Sequence, residues 1–297
     1  MFALPEKPFL VSEYGAEPST RGWYYRDSKE YGCYSEYQAP KDSINGREYA
    51  YKSLGERSWI IGAFIASESD SRKSATPCAM DFSGLSDLYL SKKDSYYYVK
   101  SCFDGEPTVH ILPHWNMQGR GSVPVQVYTN CHSVELFLNG KSLGKQTPDT
   151  ASHAEWCVDF TPGSLAAVGY AEGGVPIAAD EKVTTGAAVA LSLHCENEGD
   201  IDANGEDIAL IYCTATDENG NAVPDAECTV SFVAEGGDII GSGSGVFLGA
   251  SHSSPRCNMV RGRALCAVRP AEGEVTVYAS APGLLGAYIK ISLPSSK

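Results

Sequence analysis

Apolar and polar positions divide the chain into three textures. In the first, continuous apolar runs alternate with a helical period. Pro8-Phe9-Leu10-Val11 forms one run and ends in Ser12-Glu13-Tyr14-Gly15. Apolar residues at 50, 51 and 54 predict a helix over about residues 47–57, and Trp59 to Ala66 forms a second run. Unbroken runs of this kind suit parallel strands buried on both faces, because alternation is lost when neither face meets water. Strand, helix and strand in that order predict a βαβ unit.

From about residue 107 the period drops to two. Pro124 to Asn130 and Val134 to Leu138 alternate, and Asn139-Gly140 predicts a type I′ turn into Lys141-Ser142-Leu143-Gly144. Ala166 to Tyr170 and Val175 to Ala179 flank Glu172-Gly173-Gly174 as a further hairpin. A third block predicts strands near 189–195, 208–216, 228–234, 264–268, 274–280 and 287–293, with turns at Glu218 to Asn221 and Glu235 to Gly237. Several short strands within about 100 residues are the pattern of an immunoglobulin-like sandwich. The Gly- and Ser-rich stretch from Gly241 to Pro255 reads as a long irregular loop.

Composition narrows the function. The 297 residues hold 37 acidic against 23 basic side chains, a formal charge of −14. Such a surface disfavours nucleic acid, whose binding rests on basic groups that release counterions. No run of 18 apolar residues exists, so no membrane partner is expected. Pro5, Glu6, Lys7 and Pro8 interrupt the N-terminus, which therefore does not read as a signal peptide, and the expected location is cytoplasmic. The ten cysteines show no C-x-x-C spacing and are expected as free thiols, without metal or redox function. Cys213 and Cys228, on candidate strands, are the pair best placed to mimic a disulfide, and none is expected there.

The sharpest chemical feature is Glu13, a carboxylate at the C-terminal end of a predicted parallel strand, where an α/β barrel presents catalytic groups. Its surroundings follow a familiar order: Pro8 to Gly15, Trp59 to Ile65, Lys93-Asp94-Ser95-Tyr96-Tyr97, then His110-Ile111-Leu112-Pro113-His114-Trp115-Asn116. They resemble the C-terminal part of glycoside hydrolase family 2, the β-galactosidase group. Tyr128-Thr129-Asn130-Cys131, Val134 to Gly140 and Ala203-Asn204-Gly205-Glu206-Asp207 extend the resemblance.

The resemblance implies a mainly β chain: two immunoglobulin-like β-sandwiches preceded by a partial (β/α)8 barrel remnant. The expected domains are 1–105, the end of the barrel with strands 7 and 8, then sandwiches at 106–185 and 186–297. The implied chemistry is retaining hydrolysis of a terminal β-galactoside or related β-glycoside, with Glu13 matching the nucleophile of the family's Ser-Glu-Tyr-Gly motif. The acid/base and barrel strands 1–6 are expected to lie outside the chain. The chain alone is thus expected to be inactive, and its partners are a carbohydrate if the site is completed, the missing N-terminal part, or a second copy. No cofactor or metal is implied. The rival reading is a non-catalytic carbohydrate-binding or adhesive β-sandwich protein.

After strand 8 the sequence departs from the family. Ala66-Ser67-Glu68-Ser69-Asp70-Ser71 stands where the family carries aromatics, and only Asp70, Arg72, Thr76 and Pro77 match. Ala66 offers no ring face for a sugar. Glu68 and Asp70 read as polar loop residues rather than a substitute acid pair. His110 and His114 flank Pro113 in an extended pattern and read as interface or hydrogen-bonded core histidines. Trp115, Trp156 and Tyr96 to Tyr98 read as packing between barrel remnant and first sandwich. Gly241 to Gly245 lacks the Lys-Ser/Thr ending of a phosphate loop, which excludes nucleotide binding.

Overall fold

A computed structural model describes residues 7–24, 35–37, 46–72, 80–202, 206–246, 254–271 and 273–293. Thr76, Pro77, Ala203 to Gly205, Cys33 and Cys78 lie outside the described residues. The chain divides into two compact units, Met1–Thr184 and Thr185–Lys297.

The first unit opens with β1 (Phe9–Tyr14), α1 (Arg47–Gly55) and β2 (Ile60–Ile65). β1 and β2 pair in parallel, Phe9 opposite Ile60 and Val11 opposite Ala63, as the apolar runs predict. Their burial corrects the sequence reading. Phe9, Leu10, Ile61 and Phe64 are 53 to 70% exposed, not buried on both faces. The cause is the size of the sheet: it has two strands, and neither outer edge pairs with another described strand. A short antiparallel pair, β3 (Ser71–Arg72) with β4 (Met80–Asp81), precedes α2 (Asp94–Phe103).

The rest of this unit is β5 (Val109–Leu112), β6 (Ser122–Thr129), β7 (Ser133–Leu138), β8 (Lys141–Gln146), β9 (Ala154–Asp159), β10 (Ser164–Tyr170) and β11 (Pro176–Val183). They form a three-stranded sheet in the order β5-β6-β9 and a four-stranded sheet in the order β11-β10-β7-β8. Ile111, Val125, Val127, Leu136, Leu165 and Trp115 fill the core with no solvent exposure. The β7–β8 turn forms as predicted. Asn139 and Gly140 both take positive φ, 51° and 77°, which the type I′ geometry requires. The Asn139 carboxamide also accepts from the Ser164 N–H at 2.8 Å.

The second unit holds β12 (Ala190–Cys195), β13 (Ala209–Thr216), β14 (Cys228–Glu235), β15 (Gly237–Gly243), β16 (Arg256–Met259), β17 (Arg263–Pro270), β18 (Glu274–Ser280) and β19 (Ala287–Ser292). Two four-stranded sheets result, β12-β13-β17-β15 and β16-β14-β18-β19. Strict alternation on β13 buries Ala209, Ile211, Cys213 and Ala215 against Val230, Phe232 and Val277 of the other sheet. The expected irregular loop from Gly241 is corrected at its start. Residues through Gly243 continue β15, paired with β17. That strand must approach β17 closely, since a Cβ at Gly237 would stand 2.7 Å from the Arg269 carbonyl oxygen.

Candidate active site

Glu13 sits one residue before the C-terminal end of β1 and is exposed. Among the described residues no hydrogen bond or ion pair restrains its carboxylate. The chain then turns at Gly15, whose φ of +73° is open to glycine at little cost. Arg47, at the start of α1 and 2% exposed, fixes that turn. Its Nε donates to the Gly15 carbonyl at 3.1 Å, and its backbone N–H donates to Glu17 Oε2 at 3.1 Å. Burial lowers the guanidinium pKa, countered chiefly by Glu17. A cleft of about 740 Å³ opens beside the strand pair, lined by Tyr14, Tyr51, Lys52, Phe103 and Asp149, and Glu13 is not part of its wall.

Behind the strand ends lies a web of buried charges. Lys93, with a fully buried side chain, donates from Nζ to Asp70 Oδ1 at 2.6 Å and to the carbonyls of Ser19 and Phe82 at 2.7 and 2.9 Å. Burial pushes the Asp70 carboxyl up to about 7 against the pull of Lys93. Arg21 pairs with Asp87 at 2.7 Å. The Tyr24 hydroxyl donates to Asp94 Oδ2 at 2.6 Å, and Asp94 Oδ1 lies 2.7 Å from His110 Nε2. Burial holds the His110 imidazole at about 3, far below its ordinary pKa. Glu36, buried next to Asp94, is raised well above the carboxylate range, while its Oε2 accepts from the Gly22 N–H at 2.9 Å. Buried ions so paired resist removal of either partner.

The other sequence candidates fall into structural places. Asp70 is engaged by Lys93 and the Gly84 N–H, a structural place, and Glu68 is an exposed polar residue. His110 stacks on Tyr97 at 3.7 Å, and His114 Nδ1 accepts from the Asn116 N–H at 3.2 Å. Tyr98 packs edge-on to Tyr128 and donates to the Ala151 carbonyl at 3.0 Å. Trp115 is enclosed beside Phe160, and Trp156 joins the same core. Among the described residues no cluster of His, Cys, Asp or Glu is arranged to hold a metal ion. None of their helices is long and apolar enough to cross a membrane. The eight described cysteines are free thiols, Cys213 and Cys228 included.

Sequence reasoning missed the residues that lock this region. Glu48 on α1 lies 2.6 Å from His153 Nδ1 and accepts from Ser152 Oγ at 2.6 Å, joining the helix to the segment that enters β9. The partners stand more than 100 positions apart, and no local pattern links them.

A parallel strand–helix–strand segment with a glutamate near the end of its first strand, followed by stacked β-sheets, is the arrangement implied by the resemblance to the C-terminal part of family 2 glycoside hydrolases, and the chain is similar to proteins of that family. Residues 191–290 match the family described as glycoside hydrolase family 2 C-terminal domain 5. Residues 120–178 match a domain of unknown function, DUF4982. The chain is 28% identical to the β-galactosidase BoGH2A of Bacteroides ovatus over 97% of its own length and 37% of that protein's. It is 27% identical to a β-glucuronidase of Formosa agariphila over 98% of its length and 31% of that protein's. The crystal structure of a β-glycosidase from Bacteroides vulgatus superposes with a TM-score of 0.86 over 96% of this chain and 42% of that one; at 24% identity this likeness is one of fold. The chain therefore spans well under half the length of each relative.

Proposed function

We propose that residues 1–105 are the last two strands of a (β/α)8 barrel and that Glu13 is the nucleophile of a retaining β-glycosidase. The acid/base carboxyl comes from outside these 297 residues. The single observation supporting this most strongly is the parallel β1–α1–β2 unit itself. Glu13 stands near the C-terminal end of its first strand, where barrels carry catalysis, and Phe9, Leu10, Ile61 and Phe64 of the two strands are exposed where a closed barrel would cover them. In a completed site the Glu13 carboxylate attacks the anomeric carbon. A second carboxyl about 5–5.5 Å away protonates the departing oxygen, then activates the water that releases the sugar with retained configuration.

The proposed substrates are terminal β-galactosides. The relatives named for galactose and for glucuronic acid both make β-glycoside hydrolysis the broader frame, and the ring-contacting groups outside the chain choose between them. The chain alone should not turn over nitrophenyl β-galactoside, because half of a double displacement has no proton donor; acid–base assistance alone is worth about 10²–10⁴-fold. Adding a polypeptide that carries the preceding barrel strands should create activity, and Glu13→Gln should abolish it. Turnover by the chain alone that Glu13→Gln removes would overturn the two-part site. Complemented activity indifferent to Glu13→Gln would overturn the nucleophile.

A further inference from the structure

The outward face of one sheet in the second unit carries a row of exposed large side chains. Across β14, β18 and β19, Val233, Tyr278 and Tyr288 stand in one cross-strand row. They are 59%, 39% and 65% exposed. The two tyrosine rings lie 6.0 Å apart, tilted by 35°, and form a shallow aromatic trough. The neighbouring row carries Glu235, Thr276 and Lys290, and the row on the other side carries Ser231 and Ser280, too small to wall off the rings. Glu235 Oε2 accepts from the Tyr278 hydroxyl at 3.2 Å, which orients that ring, and Lys290 pairs with Glu274 at 3.0 Å.

We infer that this trough is a non-catalytic carbohydrate-binding surface whose occupant is a neutral polysaccharide chain. Aromatic faces carry a negative quadrupole that attracts the polarised C–H groups on the apolar face of a pyranose, as they attract aromatic edges. The flanking Glu235 carboxylate accepts hydrogen bonds from sugar hydroxyls, and Lys290 in the same row donates to them. Charge selects the neutral polymer. Glu235 is the carboxylate in the row beside the rings, and the one ammonium of that row, Lys290, is already neutralised by Glu274 of the row beyond, within a chain of formal charge −14. A polyuronate would meet repulsion on that ground. The site lies wholly within the second unit and does not depend on Glu13 or on completion of the barrel, so it can stand where the glycosidase reading fails.

Affinity electrophoresis of the whole chain through gels containing mixed-linkage β-glucan, galactomannan or arabinoxylan tests the inference, with polygalacturonate as the anionic probe. At least one neutral polymer should retard the protein, and polygalacturonate should not. Tyr278→Ala and Tyr288→Ala should each weaken retardation roughly tenfold, as loss of a stacking face predicts. Tyr288→Phe, which keeps the ring, should retain it. Because the rings are exposed, unchanged circular dichroism of the variants separates lost binding from lost folding. Absence of retardation by all three neutral polymers, retardation indifferent to the double alanine variant, or preference for polygalacturonate would each overturn the proposal.

Discussion

Replacing Glu48 by glutamine removes one charge from a nearly sealed cluster without changing its volume. The Glu48 side chain is 2% exposed and that of His153 1%. Burial alone would raise the carboxyl, but hydrogen bonds from His153, Ser152 and Lys52 and the charge of His153 outweigh it, and Glu48 falls from its ordinary 4.5 to about 2. Each unit of such a shift is about 1.4 kcal/mol, so the ionised carboxylate contributes about 3 kcal/mol to the first unit at neutral pH. A carboxyl depressed in the folded state contributes stability that is complete above its unfolded value. That contribution fades as pH falls from 4.5 toward 2. All four tryptophans, at 23, 59, 115 and 156, lie in the first unit, so tryptophan fluorescence during urea unfolding reports that unit alone. At pH 7, Glu48→Gln should lower the fluorescence midpoint by about 1–3 M, given a urea slope of about 1–3 kcal/mol per M. The gap from wild type should narrow as the pH is taken from 4.5 toward 2. An unchanged midpoint at pH 7, or a gap of constant size down to pH 3, would refute the clamp.

Two further outcomes are expected. In the native protein at pH 8, exposed Cys157 should react first among the eight described cysteines with a chromogenic disulfide, whereas Cys213 and Cys266, pushed up to about 12 by burial, should react only on unfolding; early modification of either buried thiol would contradict their packing. Ile211→Ala in the second unit should cost about 2–5 kcal/mol in its unfolding transition followed by far-UV circular dichroism, since that side chain has no solvent exposure; a loss below 1 kcal/mol would contradict the core assignment.

How far the sequence discloses this molecule depends on the range over which each feature is encoded. Strands whose alternation is local were legible: β13, β18 and β19 lie within a residue or two of the expected spans, and the Asn139-Gly140 turn was fixed by two residues. Strands without side-chain signal were not. β15 reads Gly-Asp-Ile-Ile-Gly-Ser-Gly, and Gly237 serves close backbone approach rather than a pattern of burial. β16 buries only Cys257 and Met259 in four residues, too short for a period to emerge. Of the candidate site, Glu13 was legible from its motif. The buried charge pairs of the first unit were not, because Lys93 meets Asp70 and Glu48 meets His153 only once the fold has joined distant segments.

The disagreement between pattern and burial in β1 and β2 carries more than a misreading. A sequence of Phe9, Leu10 and Val11 against Ile60, Ile61 and Phe64 specifies an environment apolar on both sides, and the structure provides packing on only part of it. Exposed large side chains scattered singly need no explanation, but four of them on two adjacent parallel strands with open edges do. Either such strands repack at a cost in stability or a further surface covers them. The first unit has a second source of order in its stacked sheets, where Ile111, Val125 and Leu136 are sealed. Those sheets hold α1 through Glu48, and α2 through His110 and Tyr98, independently of whatever covers the strands. The strand-end glutamate thus precedes a turn tied to α1 through Arg47, on a strand whose apolar side chains are exposed, an arrangement that completion of a barrel site by further strands would accommodate.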